Sequence, residues 1–158
     1  MSDQALQTAY DTLNKHIDRE QSASDWFTIT QERINEFAEV TMDHQWIHVD
    51  EERSKNGPFG GTIAHGHLTL SMLSHLPRGS DEGGLPKLDG QKLGINYGFD
   101  RVRFPSPVPA GARIRTKRTL RSIELKGGMI EAVTEIVVEV EGQDKPACVA
   151  HSVGRMVF

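Results

Sequence analysis

Apolar positions in the first 41 residues recur at helical intervals. Leu6, Ala9, Tyr10, Leu13 and Ile17 share one face of a helix predicted over 2–19, and Ile34, Phe37, Ala38 and Thr41 share one face of a second. Between them, residues 25–30 (DWFTIT) read as a short strand, and Thr30 is placed to cap the second helix. Residues 42–61 show no sustained period; 56–61 (NGPFGG) mark a loop, and Asp50 ahead of Glu51 and Glu52 reads as the cap and first turn of a short helix. A helix of another character is predicted over 63–76. Its Leu68, Leu70, Met72, Leu73 and Leu76 spread around most of the circumference, so it should be buried on nearly all sides. His67, Ser71 and Ser74 leave one polar stripe on it, which needs something polar to face.

After a Gly/Pro-rich link at 78–90 the period falls to two. Strands are predicted at 93–104 (broken near Gly98 and ended by Pro105, Pro107 and Pro109), 112–120, 129–140 and 146–158. In the third of these, Ile130, Ala132, Thr134, Ile136, Val138 and Val140 face one way and Glu131, Glu135 and Glu139 the other, with Gly127-Gly128 as the turn before them. Helices, one buried helix and then an antiparallel meander make an α+β chain. Residues 1–158 read as a single domain with an N-terminal helical extension at about 1–24.

Hydrophobic residues make up 37% and charged residues 25%, and the formal charge is −4, so a soluble protein without a basic nucleic-acid-binding body is expected. The single Cys148 suits a reducing cytoplasm, and no stretch is uniformly apolar enough to predict a membrane span. G-x-S-x-G, G-x-G-x-x-G and Walker patterns do not occur. His44, His48, His65 and His67 have no accompanying cysteines, and the run His44-Gln-Trp-Ile-His48 is not H-E-x-x-H, so neither metal nor cofactor is expected.

The chemistry concentrates between residues 43 and 74. Asp43 and His48 offer one carboxylate and one imidazole able to converge on a single water. Gly66, at the start of the buried helix, offers a free backbone N–H as a cradle for an oxyanion. Plainer readings stand beside these: Asp43 as a loop cap, His48 as a surface residue, His65 as a packing residue, Ser74 as a small residue at a close contact, and Gly66 as a device for turning the backbone.

Residues 37–50 (FAEVTMDHQWIHVD), followed by 60–66 (GGTIAHG), resemble the MaoC-like dehydratases, the (R)-specific enoyl-CoA hydratases; residues 95–111 (INYGFDRVRFPSPVPAG) resemble the nodulation-protein-N-like branch of that family. The resemblance implies a hot-dog fold, an antiparallel sheet wrapped around a buried central helix, assembled as a homodimer. It implies that Asp43 and His48 activate a water for attack at C3 of a trans-2-enoyl-CoA, that the Gly66 amide binds the thioester oxygen, and that Ser74 assists. Met42 and Trp46 depart from the small residue and the proline common in that family, beside the pair. His67 and Arg103 are further substrate-binding candidates. The run Arg101, Arg103, Arg113, Arg115, Lys117 and Arg118 either meets coenzyme A phosphates or forms solvated strand faces. A hot-dog thioesterase and a non-catalytic acyl-thioester-binding module are the alternative functions.

Overall fold

The computed structural model describes residues 2–76 and 85–158; residues 78–84 of the Gly/Pro-rich link fall outside that description. Element order is α1 (Ser2–Asn14), β1 (Phe27–Thr28), α2 (Gln31–Thr41), α3 (Trp46–Val49), α4 (Glu51–Ser54), α5 (Gly66–Ser71, extended by a 3-10 turn over Met72–Ser74), β2 (Leu93–Arg103), β3 (Arg113–Lys126), β4 (Met129–Val140) and β5 (Cys148–Val157). The strands form one antiparallel sheet in the order β1-β3-β4-β5-β2.

Local chemistry sets several boundaries. Thr30 accepts a hydrogen bond from the Arg33 N–H at 3.2 Å and Asp50 one from the Arg53 N–H at 2.9 Å, the two caps expected from sequence. Lys126 faces Met129 across a two-residue turn in which Gly127 and Gly128 have φ of 57° and 75°, the doubly left-handed turn that matches the twist of a hairpin. On β4, Ile130, Ala132, Ile136, Val138 and Val140 are buried on one face, as their alternation required. β3 runs six residues beyond the predicted end at 120. A register shift between Leu120 and Ser122 inserts Arg121, so the inward set changes from Ile114, Thr116 and Leu120 to Ile123.

Two clusters cover the inner face. In one, Leu68, Met72 and Leu73 of α5 and its 3-10 turn, with Leu76 just beyond, pack on Ile136, Val138, Cys148 and Ala150, with Ile29 after β1 and Ile34 and Ala38 of α2 alongside. In the other, α1 sets Ala9 and Leu13 against Leu120, Ile123, Ile130, Ala132 and Phe158. The predicted extension is therefore a helix that roofs the far end of the β3–β4 hairpin. Between the clusters, Arg118 points inward and its Nη2 donates to the Leu73 and Leu76 carbonyls at 2.6 and 3.2 Å, closing the C-terminal end of the central helix.

The central helix starts three residues later than predicted. Ile63 is held instead in a β-bridge with Pro109, and the Ala64 N–H donates to the Val108 carbonyl at 2.8 Å. Residues 42–61, expected to be mostly irregular, contain the short helix α4 foreseen from its Asp50 cap and also α3, which was not. Among the described residues no helix is long and apolar enough to cross a membrane.

Candidate active site

α2 ends at Thr41, and Met42 takes the left-handed conformation (φ 62°, ψ 20°) that reverses the chain into Asp43. The Asp43 carboxylate accepts from the Gln45 N–H at 3.4 Å and is exposed, while the Asp43 main-chain carbonyl accepts from Nε2 of His65 at 2.9 Å. One turn later, α3 carries His48 into the interior, where it is 6% exposed. Three bonds fix this turn: Gln31 Nε2 to the His48 carbonyl at 2.8 Å, the Ile63 N–H to the Ile47 carbonyl at 3.0 Å, and His48 Nδ1 to the Ile63 carbonyl at 2.7 Å.

That last bond selects the tautomer. A carbonyl only accepts, so Nδ1 carries the proton and Nε2 of the neutral ring presents a lone pair. Burial pushes the His48 pKa below its ordinary 6.5; the Ile63 carbonyl raises it, His65 lowers it and the Asp43 charge raises it, in decreasing order. Burial prevails, and His48 is a neutral base at neutral pH. One donor atom each from Asp43, His48 and His65 lie within 4.8 Å of one another. The carboxylate and the imidazole thus lie close together in space.

Gly66 opens α5, where the first N–H groups have no intrahelical partner. With His48, Phe59, Thr69 and Phe104 it lines a cavity of about 390 Å³. Its φ is outside the left-handed region, so turning the backbone is not what requires glycine. A Cβ there would lie 2.9 Å from Cδ2 of Phe104, so glycine lets the Phe104 ring approach this amide. Phe59 and Phe104, which sequence reasoning did not single out, flank the cavity at 48% and 41% exposure. Their signal was faint: Phe59 sits in the 56–61 loop and Phe104 at the end of a predicted strand, and neither pattern marks a pocket.

Asp43, His48 and His65 do not make a good metal cage. The two imidazoles stack with centroids 3.8 Å apart and planes 25° apart, so their in-plane lone pairs run side by side instead of meeting at one point about 2.0–2.1 Å away. The donor set suits proton transfer.

The other sequence candidates are distributed. Ser74 accepts from Asn96 Nδ2 at 3.3 Å and lines a separate cavity of about 510 Å³ with Asn96, Phe99, Arg118 and Ser152. It stands eight residues beyond Gly66, about 12 Å along the helix axis. His67 is exposed and meets Phe104 edge-on at 6.1 Å. Arg103 lies at the end of β2, exposed, with Nη1 donating to the Val102 carbonyl at 2.7 Å. Arg113, Arg115 and Lys117 form cross-strand pairs with Glu141 and Glu139 (2.6 Å from Arg115 and 3.1 Å from Lys117 to Glu139), so for these three the strand-face reading prevails over a phosphate patch. Arg118 turns inward instead. Met42 is 82% exposed, and the Trp46 ring lies under the Arg53 guanidinium and against Gly57, so neither departure enters the pocket lined by His48 and Gly66.

The family model for the MaoC like domain matches residues 12–142. The chain is 53% identical over 135 residues to 3-hydroxyacyl-thioester dehydratase Z of Mycobacterium tuberculosis, covering 85% of this chain and 86% of that protein. It is 45% identical over 137 residues to Nodulation protein N of Rhizobium leguminosarum bv. viciae, covering 85% and 83%. Among solved structures it resembles the MaoC-like dehydratase from Rhodospirillum rubrum (TM-score 0.68, 21% identity, 90% of this chain and 92% of that one). It also resembles the (R)-hydratase from A. caviae (TM-score 0.64, 19% identity, 87% and 94%). The curled antiparallel sheet on its central helix is the hot-dog fold.

Proposed function

The chain belongs to the MaoC-like dehydratase family, and on that premise we propose that it is a hydro-lyase adding water reversibly to a trans-2-enoyl-CoA to give the (R)-3-hydroxyacyl-CoA. The observation that supports this reading is the grouping of a neutral, tautomer-fixed His48 with the Asp43 carboxylate, where His48 and Gly66 line one cavity.

In the hydration direction Nε2 of His48 takes a proton from a water while its oxygen bonds to C3. The C2=C3 π electrons move toward the thioester oxygen, where the Gly66 N–H stabilises the enolate charge. Asp43 accepts the water's other O–H and holds it in place. The proton taken by His48 passes to C2 as the enolate collapses, so one O–H bond breaks as C3–O and C2–H form and His48 returns to its neutral state. The amide acts mainly on the transition state, because the negative charge on the oxygen exists only there and in the enolate. On this reading His67, in edge contact with Phe104 of the cavity wall, and Arg103, next to Phe104 in the chain, meet the coenzyme A portion, and Ser74, on the separate cavity, the acyl portion.

The unit works as one domain over 1–158, in the cytoplasm, as a homodimer. β2 is an edge strand with Leu93, Tyr97 and Phe99 at 55%, 58% and 45% exposure, an apolar edge that pairing with a second copy would cover. The test is a panel of trans-2-enoyl-CoAs of increasing length, followed by loss of conjugated-thioester absorbance and by assay for free thiol. Hydration consumes absorbance and releases no thiol. Thiol release would make the protein a thioesterase, and stable absorbance at every length would make it a binding module.

A further inference from the structure

His65 is 3% exposed and touches every part of the candidate site. Its Nε2–H donates to the Asp43 carbonyl at 2.9 Å, its ring stacks on His48 at 3.8 Å, and its own carbonyl accepts the Thr69 N–H at 3.2 Å in the first turn of the helix that Gly66 opens. Phe37 of α2 packs against the ring at 5.0 Å with planes tilted by 56°. We propose that His65 is the positioning residue of the reaction, an imidazole that sets the Asp43 loop, the His48 ring plane and the Gly66 amide in register without itself touching substrate. The proposal rests on the hydro-lyase reading and adds a role to a residue outside the acid–base pair.

A purely packing role does not account for the residue. With Nε2–H given to the Asp43 carbonyl, Nδ1 of the neutral ring is an acceptor, and it is buried with no hydrogen-bond partner among the described residues. A phenyl ring would fill the same space between Phe37 and His48 without stranding a polar atom. What phenyl cannot supply is the donor to Asp43. That donor matters because the rest of the Asp43 anchorage is weak: the residue is exposed, it follows a left-handed Met42, and among the described residues its carboxylate accepts only the long 3.4 Å bond from the Gln45 N–H. The stack sets the His48 ring from one side while the Ile63 carbonyl holds its edge. A misplacement of about 1 Å in such a pair costs on the order of 100-fold in rate.

Two substitutions separate the functions of the ring. His65→Phe keeps the stack and removes the donor; His65→Gln keeps an amide donor near the Nε2 position and removes the stack. His65→Phe is expected to lower kcat by about 100-fold with KM changed less than about 3-fold, and His65→Gln to recover at least about 10-fold of that loss. The titratable groups acting on His48 are His65 and Asp43, so His65→Gln, with Asp43 retained, should move the acid limb of the kcat/KM profile to higher pH. Folded variants with wild-type kcat, a loss confined to KM, or an unmoved acid limb would overturn the proposal. If either variant fails to fold, nitrogen NMR of the imidazoles in the unmodified protein decides instead. It should report His65 protonated at Nε2 and His48 at Nδ1; His65 protonated at Nδ1 removes the bond to Asp43 and the proposal with it. Wild-type turnover of an enoyl-CoA is the control. Its absence defeats the hydro-lyase reading, while the NMR result still decides the His65 geometry.

Discussion

Replacing Asp43 by Asn and His48 by Gln, singly and together, tests whether the two side chains act on one water. Both changes keep approximate size and hydrogen-bonding capacity. Two hydrogen bonds of about 2.8 Å meeting at a water's tetrahedral angle span roughly 4.5 Å, within the 4.8 Å that contains the donor atoms. The groups are therefore close enough for one water to contact both, and each single variant should lose at least ~100-fold in kcat/KM, about 2.7 kcal/mol of transition-state stabilisation. Independent action would multiply the losses to ~10⁴-fold in the double variant. Groups that share a water leave it within about 3-fold of the worse single variant, a coupling of roughly 2 kcal/mol. The assay is the double-mutant cycle on enoyl-CoA absorbance, with circular dichroism and thermal melts confirming the fold of each variant. His48→Gln needs that control most, because it also removes the bond to the Ile63 carbonyl. Multiplicative losses would assign the residues to different steps, and near-wild-type activity in either single variant would remove it from the site.

Met42→Gly should stabilise the protein by roughly 0.5–1 kcal/mol, because a non-glycine residue at φ 62° costs ~1–2 kcal/mol and glycine's added unfolded-state entropy returns only ~0.4–1. With the Met42 side chain 82% exposed, little burial is lost; a lower urea midpoint would show that the side chain makes a contact worth more than the strain. His48 has a folded-state pKa below 6.5, so its contribution to stability is complete above pH about 6.5 and is lost as pH falls from there through the folded value. Urea midpoints at pH 7.5 and 5.5 should therefore fall more in the wild type than in His48→Gln, and equal falls would contradict the burial argument. Dialysis against a strong chelator should leave turnover unchanged, since the stacked imidazoles do not aim at one point; activity lost to the chelator and restored by a divalent metal would reverse the role given to His48.

What was legible in the sequence was whatever depends on near neighbours. Thr30 and Asp50 cap helices because their side chains reach N–H groups three residues on, and β4 was readable because its inward residues alternate without a break. The end of β3 was hidden, since the bulge at Arg121 inverts the parity that marks a strand. The start of the central helix was placed early because Ile63 is claimed by Pro109, a partner no local pattern announces. The same limit applies at the site. Asp43, His48 and Gly66 could be picked out by residue type and motif, whereas the stack of His65 on His48 arises only when the 61–65 segment folds back along α3. The basic run beyond residue 112 looked like an anion site in one dimension; its acidic partners lie on the neighbouring strand.

The helix that roofs the far hairpin also bears on how the molecule reaches its fold. Leu13 shares a cluster with Phe158, and β1 pairs with β3 through Phe27 and Ile114, so both closures join segments separated by more than half of the chain. The β3–β4 hairpin, closed by two glycines, involves no such search. Loop entropy must be overcome before distant contacts repay it, which makes α1 docking a late event and the bare hairpin face the surface most exposed to aggregation until then. For this chain the N-terminal helix contributes to the kinetics of solubility as well as to the final core.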